Sequence, residues 1–302
     1  MELRQLGYFR TVAARGSVSK AAIALHMTQP SLSRQIMSLE DELQVTLFER
    51  TSRGVVATPA GLGLQRHVDV LFAHLDQIPE VVSTANRGQQ VARIGVPQGL
   101  PREWALELFR SIEASLPLVT VSLHEATTEE QRQLLQNGLI DLGLIHADAS
   151  ELESVQILDQ QLGVAARPGS SLAEHNEVTF ANLDGLRVMS HAAGEIMVEE
   201  GRWRAASVAA GVDTQWVFRR FAEHSELIAL TSQVDAVLVT EASAVRHLPG
   251  WTWIPLQDRD AAGQELSIGT WLAWREPATP LVSSVISATT VAMPVKHRPS
   301  LS

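Results

Sequence analysis

Residues 21–40 read AAIALHMTQPSLSRQIMSLE. Apolar side chains recur at helical spacing, yet the cluster TQPSLSR at 28–34 sets a proline and two serines where a core helix would carry alanine or leucine. Thr28 is placed to cap a helix whose first turn is Gln29, Pro30 and Ser31, where proline's missing N–H costs nothing. Leu32, Ile36, Leu39 and Leu43 follow at spacings of 4, 3 and 4. At about 100° per residue they fall within roughly 60° of one another and form one buried stripe. Measured from Leu32, Ser33 lies at about 100°, Met37 at about 140°, Pro30 at about 160° and Arg34 at about 200°. The proline, serine and arginine therefore project away from the core.

The flanking residues give this helix its setting. Upstream, Leu3, Leu6, Phe9, Val12 and Ala13 form an amphipathic helix ending near Gly16, and Ser17 caps a short helix carrying Val18, Ala21, Ala22 and Leu25. A short helix, a tight LHMT connection and a longer helix with polar residues at its leading end is helix-turn-helix geometry. Arg34 then suits a two-bond grip on guanine, Ser33 and Gln29 suit a base edge or phosphate, and the first-turn amides suit a phosphate. The plainer alternative is a three-helix domain with a solvated face. Downstream, LFERTSRGVVATPAG at 47–61 reads as a strand, a basic turn at Arg50, Arg53 and Gly54, and a return through Val55 and Val56. That is a wing suited to phosphate or minor-groove contact.

The chain has 302 residues, enough for two or more domains, and its 45% hydrophobic content supplies packed cores. It has no cysteine, which removes disulfides, thiolate metal sites and cysteine nucleophiles. The net charge of -10 is unevenly spread. Residues 1–66 carry eight basic and five acidic side chains, whereas 67–302 carry sixteen and twenty-nine. A basic head on an acidic body fits a polyanion-binding head. No export signal or long apolar run is evident, so a cytoplasmic protein without membrane partners is expected.

The run from Phe9 to Gly61 closely resembles the N-terminal domain of LysR-type transcriptional regulators. It carries S-x-x-x-A-A-x-x-L-x-x-x-Q-x-x-x-S-x-x-I-x-x-L-E, then L-F-x-R-x-x-R and T-x-A-G. Two positions depart from the pattern: Gln44 replaces a usual glycine, and Ala57 a common leucine. The resemblance implies a DNA-binding set of Thr28, Gln29, Pro30, Ser31, Ser33, Arg34, Ser38, Arg50 and Arg53.

Thr58-Pro59 opens a further helix. Leu64, Val68, Leu71, Leu75, Ile78, Val82 and Ala85 alternate by 4 and 3, a coiled-coil seam across three heptads. Pro79 lies within it and is expected to kink the helix rather than end it. The alternative is a helix packed on its own domain; the resemblance favours a linker helix that pairs two chains.

From Val91 the pattern alternates strands and helices. VARIGV, LVTVSLHE and LIDLGLIH read as strands, with helices over PREWALELFRSIEASL and TTEEQRQLLQNG. GLRVMS, TQWVF and VDAVLVT, with helices near 194–210 and 223–231, form a second set. LSIGTWLAW and a helix near 279–293 return the chain to the first. Two lobes joined by crossings near 161–165 and 264–269 imply a cleft at the carboxyl ends of parallel strands. This is similar to the effector domain of the same family and to periplasmic solute-binding proteins.

The fold class expected is thus α/β multidomain: an N-terminal winged helix-turn-helix (1–58), a long linker helix (59–87) and a two-lobed, periplasmic-binding-protein-like α/β effector domain. Its lobes are 91–160 with 268–302, and 161–267. Loops after the strands nominate Gln98, Gly99, Leu100, Thr127, Thr128, His146, Ser190, His191 and Phe221 for a small-molecule effector, with the amides where Gly99-Leu100 enters a helix offered to a carboxylate. Thr128 matches a position where relatives contact ligand. Relatives usually have glycine at Gln233 and Asp235. His146 and His191 also read as hydrogen-bonded loop histidines, and Phe221 as core. No catalytic motif, metal-ligand spacing or dinucleotide loop is present, and no cofactor is expected. A regulator with a vestigial cleft and a solute-binding protein stay as alternatives. The resemblance implies double-stranded DNA, RNA polymerase and a small-molecule effector as partners, in a homodimer through the linker helix that pairs into a homotetramer.

Overall fold

The computed structural model describes residues 1–52, 54–146, 152–191, 196–219, 224–259 and 266–293, with backbone alone at 191, 196–200 and 202. It divides into two compact units, Met1–Ser83 and Thr84–Ser302.

The first unit is built on three helices. α1 (Leu3–Arg15) ends at Gly16, whose φ of 59° is left-handed. Ser17 caps α2 (Val18–Ala24) by accepting from the Lys20 amide. Thr28 caps α3 (Gln29–Leu43) by accepting from the Ser31 amide, with Pro30 in the first turn. Leu6, Phe9, Val12, Ala21, Ala22, Leu32, Ile36 and Leu39 close one core among them. Gln44 then terminates α3 at φ 55°, holding as a glutamine the left-handed turn that glycine takes without strain.

The wing is a two-stranded antiparallel hairpin, β1 (Phe48–Thr51) and β2 (Gly54–Ala57). It is anchored at both ends. The Val55 amide donates to the Gly16 carbonyl at 2.9 Å. A Cβ on Gly54 would lie 2.2 Å from that oxygen, so the approach requires glycine. At the other end Glu40 of α3 accepts from the Leu47 and Phe48 amides at 2.7 and 3.2 Å.

α4 (Pro59–Ala85) runs through Pro79 without ending. Its faces differ from the expected seam. Val68 is buried, and Leu64 and Phe72 pack against the three-helix core. Arg10 of α1 reaches Asp69 at 2.9 Å and lies over the Phe72 ring. The first turns of α4 thus cover their own unit, and two seam positions, Leu64 and Val68, point inward. Beyond them Leu71, Ile78, Val81 and Val82 are exposed.

In the second unit the chain runs β3 (Gln90–Val96), α5 (Arg102–Ser115), β4 (Val119–Glu125), α6 (Thr128–Gln136) and β5 (Leu142–Ile145), then a long β6 (Glu153–Ala166). It continues through β7 (Arg187–His191), α7 (Ile196–Ala210), β8 (Gln215–Arg219), α8 (Ser225–Thr231), β9 (Ala236–Thr240), α9 (Glu241–His247) and β10 (Thr252–Pro255). β11 (Ser267–Trp274) and α10 (Pro280–Ala292) close it. The strand order is β4-β3-β5-β11-β6-β9-β7-β8, with β10 beside β6. β3 is parallel to β4 and β5, and β7 to β8 and β9, while β6 and β11 run antiparallel to their neighbours.

The first crossing is therefore made by the strand β6. The first part of β6 pairs with β11 in one lobe, and its last residues pair with β9 and β10 in the other. One core gathers Ala92, Ile94, Leu108, Leu142, Leu144 and Val285; the other gathers Val164, Phe180, Val188, Trp203, Phe218 and Leu238. The lobes share a device where β5 begins to pair with β3 and where β9 begins to pair with β7. Asp141 accepts from the Arg93 amide and donates its own N–H to the Arg93 carbonyl, both at 2.8 Å. Asp235 does the same with Arg187 at the same distances. That explains an aspartate where relatives usually have glycine: its carboxylate satisfies a strand-end donor. Gln233, the neighbouring departure, is left-handed at φ 53°.

Candidate functional site

α3 sets a buried stripe against an open one. Leu32, Ile36 and Leu39 are 0, 6 and 0% exposed. Thr28, Gln29, Pro30, Arg34 and Ser38 are exposed, and Ser31 and Ser33 half-buried. The Arg34 Nε–H donates to the Pro30 carbonyl at 3.4 Å, steadying the stem. Its terminal nitrogens make no other contact among the described residues. A guanidinium held by its stem with its fork free is equipped for bidentate recognition. Arg50 is exposed on β1; Arg53 lies outside the described residues.

The helix start is a poorer anion site than expected. Pro30 has no N–H, the Ser31 amide is taken by Thr28 Oγ1, and the Leu32 amide by the Thr28 carbonyl. Of the first-turn amides only that of Gln29 is left, so side chains must do most of any phosphate binding. One contact of α3 is not legible in the sequence. Glu40 closes the family motif, but no spacing in the helix joins it to the Leu47 and Phe48 amides of the wing. Met37 faces outward, as its angle implies, and is 57% exposed.

In the second unit the loops after β3, β4 and β5 converge on His146. Its Nε2 lies 3.0 Å from the Gln98 carbonyl and its Nδ1 3.0 Å from Thr270 Oγ1. A carbonyl only accepts, so Nε2 carries the proton and the Thr270 hydroxyl donates to Nδ1. Burial pushes the imidazole pKa below its ordinary value, and hydrogen bonds to the Gln98 and Gly269 backbones oppose that in part. The His146 amide donates to Thr128 Oγ1 at 3.2 Å. Thr127 is occupied as the cap of α6, its hydroxyl and amide both bonded to Glu130.

Gly99 abuts α9 across the lobes, where an added Cβ would lie 2.5 Å from Ser243 Oγ. α5 begins two residues beyond Leu100, with Pro101 as its cap, so the Gly99-Leu100 amides precede the helix rather than open it. Ser190 is buried on β7. His191 is described by its backbone alone, and Phe221 lies outside the described residues.

A cavity of about 1160 Å³ lies between α5 and α9 with β6 behind it. Leu100, Leu106, Phe109, Leu158, Val245 and Trp253 give it apolar walls. Among the described residues Leu100 is the one nominated residue that lines it. Arg246 of α9 faces Glu125 at the end of β4 at 3.6 Å, an exposed ion pair spanning the lobes at its rim. Among the described residues no group of three His, Cys, Asp or Glu side chains is placed to hold a metal ion, and no helix is long and apolar enough to cross a membrane.

Comparison with known proteins adds the following. Residues 3–62 match the family described as bacterial regulatory helix-turn-helix protein, lysR family, and residues 85–290 match the LysR substrate binding domain. The HTH-type transcriptional regulator ClcR of Pseudomonas putida is 41% identical over 47% of this chain and 49% of its own length. AlsR of Bacillus subtilis is 37% identical over 48% and 49%. The chain thus spans about half the length of these curated relatives. Full-length CbnR, solved with its target DNA, shares the fold at a TM-score of 0.76 and 22% identity, over 97% of this chain and 100% of that one.

Proposed function

The chain belongs to the LysR family of bacterial regulatory helix-turn-helix proteins, and from that premise we propose that it is a sequence-specific DNA-binding transcriptional regulator. The observation that carries this is the two-faced α3, apolar stripe sealed and leading edge open. Arg34, Ser33 and Gln29 read base edges, Thr28, Pro30, Ser31 and Ser38 fit the groove walls, and Arg50 of β1, with Arg53 by its place in the sequence, holds the phosphate backbone. Dimers form through the exposed part of α4 and pair into tetramers through the effector domains, acting in the cytoplasm on double-stranded DNA and RNA polymerase.

A small organic effector bound between the lobes adjusts that activity. The Thr128–His146–Gln98 cluster with Gly99, Leu100, Thr127 and Ser190 forms one candidate wall, to which His191 and Phe221 are added from the sequence alone, and the α5–α9 cavity offers a roomier volume. The effector must favour one arrangement of the assembly over another, since equal affinity for both shifts nothing.

The test is selection of duplexes from a random pool, followed by binding to the enriched site. Arg34→Ala should lose roughly 1–3 kcal/mol of discrimination at one base pair. An unchanged sequence preference, or no enriched sequence at all, refutes the reading.

A further inference from the structure

The outward stripe of α3 is polar at Gln29, Ser33, Arg34, Ser38 and Asp41, with two apolar exceptions, Pro30 in the first turn and Met37 in the middle of the helix. Met37 stands in it 57% exposed, one turn past Ser33 and Arg34, whereas Leu32, Ile36 and Leu39 are buried. Helix propensity does not require it, because Gln, Lys and Glu serve a solvated turn equally well. Nor does the core of this unit draw on it. In a major groove the apolar feature of the base edges is the C5-methyl of thymine, and a flexible, polarizable thioether packs well against such a group.

Resting on the DNA-reading assignment above, we propose that Met37 is a specificity-determining residue that packs against a thymine methyl in the major groove. Helical geometry places the contact. Met37 lies three residues beyond Arg34, about 4.5 Å further along the axis. Successive bases on a strand are ~3.4 Å apart. The thymine therefore lies one or two base pairs from the base that Arg34 meets. Asp41, exposed a turn further on, would meet the phosphates with like charge. Base reading by α3 therefore ends at Met37.

The experiment takes the full-length protein and the duplex enriched from a random pool, and replaces its thymines by uracil one at a time. That removes the methyl and keeps every hydrogen-bonding group. The wild type should lose about fourfold in affinity at one thymine per half-site, the effect of failing to bury one methyl group. Met37→Ala, with its fold checked by circular dichroism, should bind the thymine and uracil duplexes alike, and Met37→Leu should keep the difference. The proposal is overturned if no uracil-sensitive position lies within two base pairs of the one relaxed by Arg34→Ala. It is also overturned if the sensitivity survives in Met37→Ala, and disappearance in Pro30→Ala instead would give the contact to Pro30. If Arg34→Ala enriches the wild-type sequence, it is the DNA-reading assignment that fails.

Discussion

Glu40 shows how one carboxylate serves two elements. It sits on α3, yet the amides it accepts from belong to Leu47 and Phe48, where the chain enters the wing. Removing it leaves two donors without a protein partner, at a cost of about 1–3 kcal/mol. Glu40→Gln keeps an acceptor oxygen and should fall well short of that. Glu40→Ala should therefore lower the denaturation midpoint of the first unit and loosen the wing, and the pair of variants measured by chemical denaturation checks it. Equal stability of wild type and Glu40→Ala would show that the wing holds itself.

His146 carries a pH dependence whose sign follows from its environment. The folded state depresses its pKa below the ordinary value of about 6.5, chiefly through burial. A proton therefore binds the unfolded chain more readily than the folded one. The stability is fully present above about pH 6.5 and is lost as pH falls towards the depressed folded value. His247 shifts the same way, through burial and then through Arg246 beside it, with Glu125 opposing. The melting temperature of the wild type should fall on acidification from neutral pH, and His146→Asn should flatten the slope while leaving the share due to His247. An unaltered slope in that variant would remove His146 from the account.

At the scale of elements, the sequence was clearest where a pattern is long and the caps are plain. Ser17 and Thr28 mark helix starts, Leu32 to Leu39 mark a buried stripe, and both stand in the structure as the spacing implies. It was least clear for α9, β10 and β6. α9 follows β9 with no turn residue between them, because Thr240 both ends the strand and caps the helix. Seven residues also give no periodicity to read. β10 has four residues, one of them proline. β6 hides because Gln156, Asp159, Gln160 and Gln161 break its apolar run where it passes between lobes. In α4 the heptad count treated all seam positions alike, and packing separates them: Val68 is 2% exposed and Ile78 50%. Ile78→Asp should thus give a folded first unit with weakened self-association. Val68→Asp should unfold that unit by burying an unpaired charge. Light scattering and circular dichroism distinguish them; identical behaviour would show that α4 does not divide its work this way.

For the whole molecule, the sequence implies a cleft between two lobes and the loops that meet at His146, but not that the space opens between α5 and α9. Loop residues follow from strand ends, whereas a cavity depends on how far apart two lobes are held, which no local pattern records. Here Gly99 against Ser243, and Arg246 facing Glu125, join the lobes at points beside the opening. A ligand that favours one spacing of the lobes, and through it one DNA-binding state, obeys a reciprocity. If it changes operator affinity by some factor, operator must change its affinity by the same factor. The check starts with a thermal-shift screen of small organic acids and aromatics, because binding to the folded state raises the melting point. Each hit is then titrated with and without saturating operator duplex, and operator is titrated with and without the hit. Matching factors above about fivefold place ligand and DNA on one equilibrium. A hit that stabilises the protein while both factors stay at unity binds a site uncoupled from reading, and the effector role of the cleft would be withdrawn.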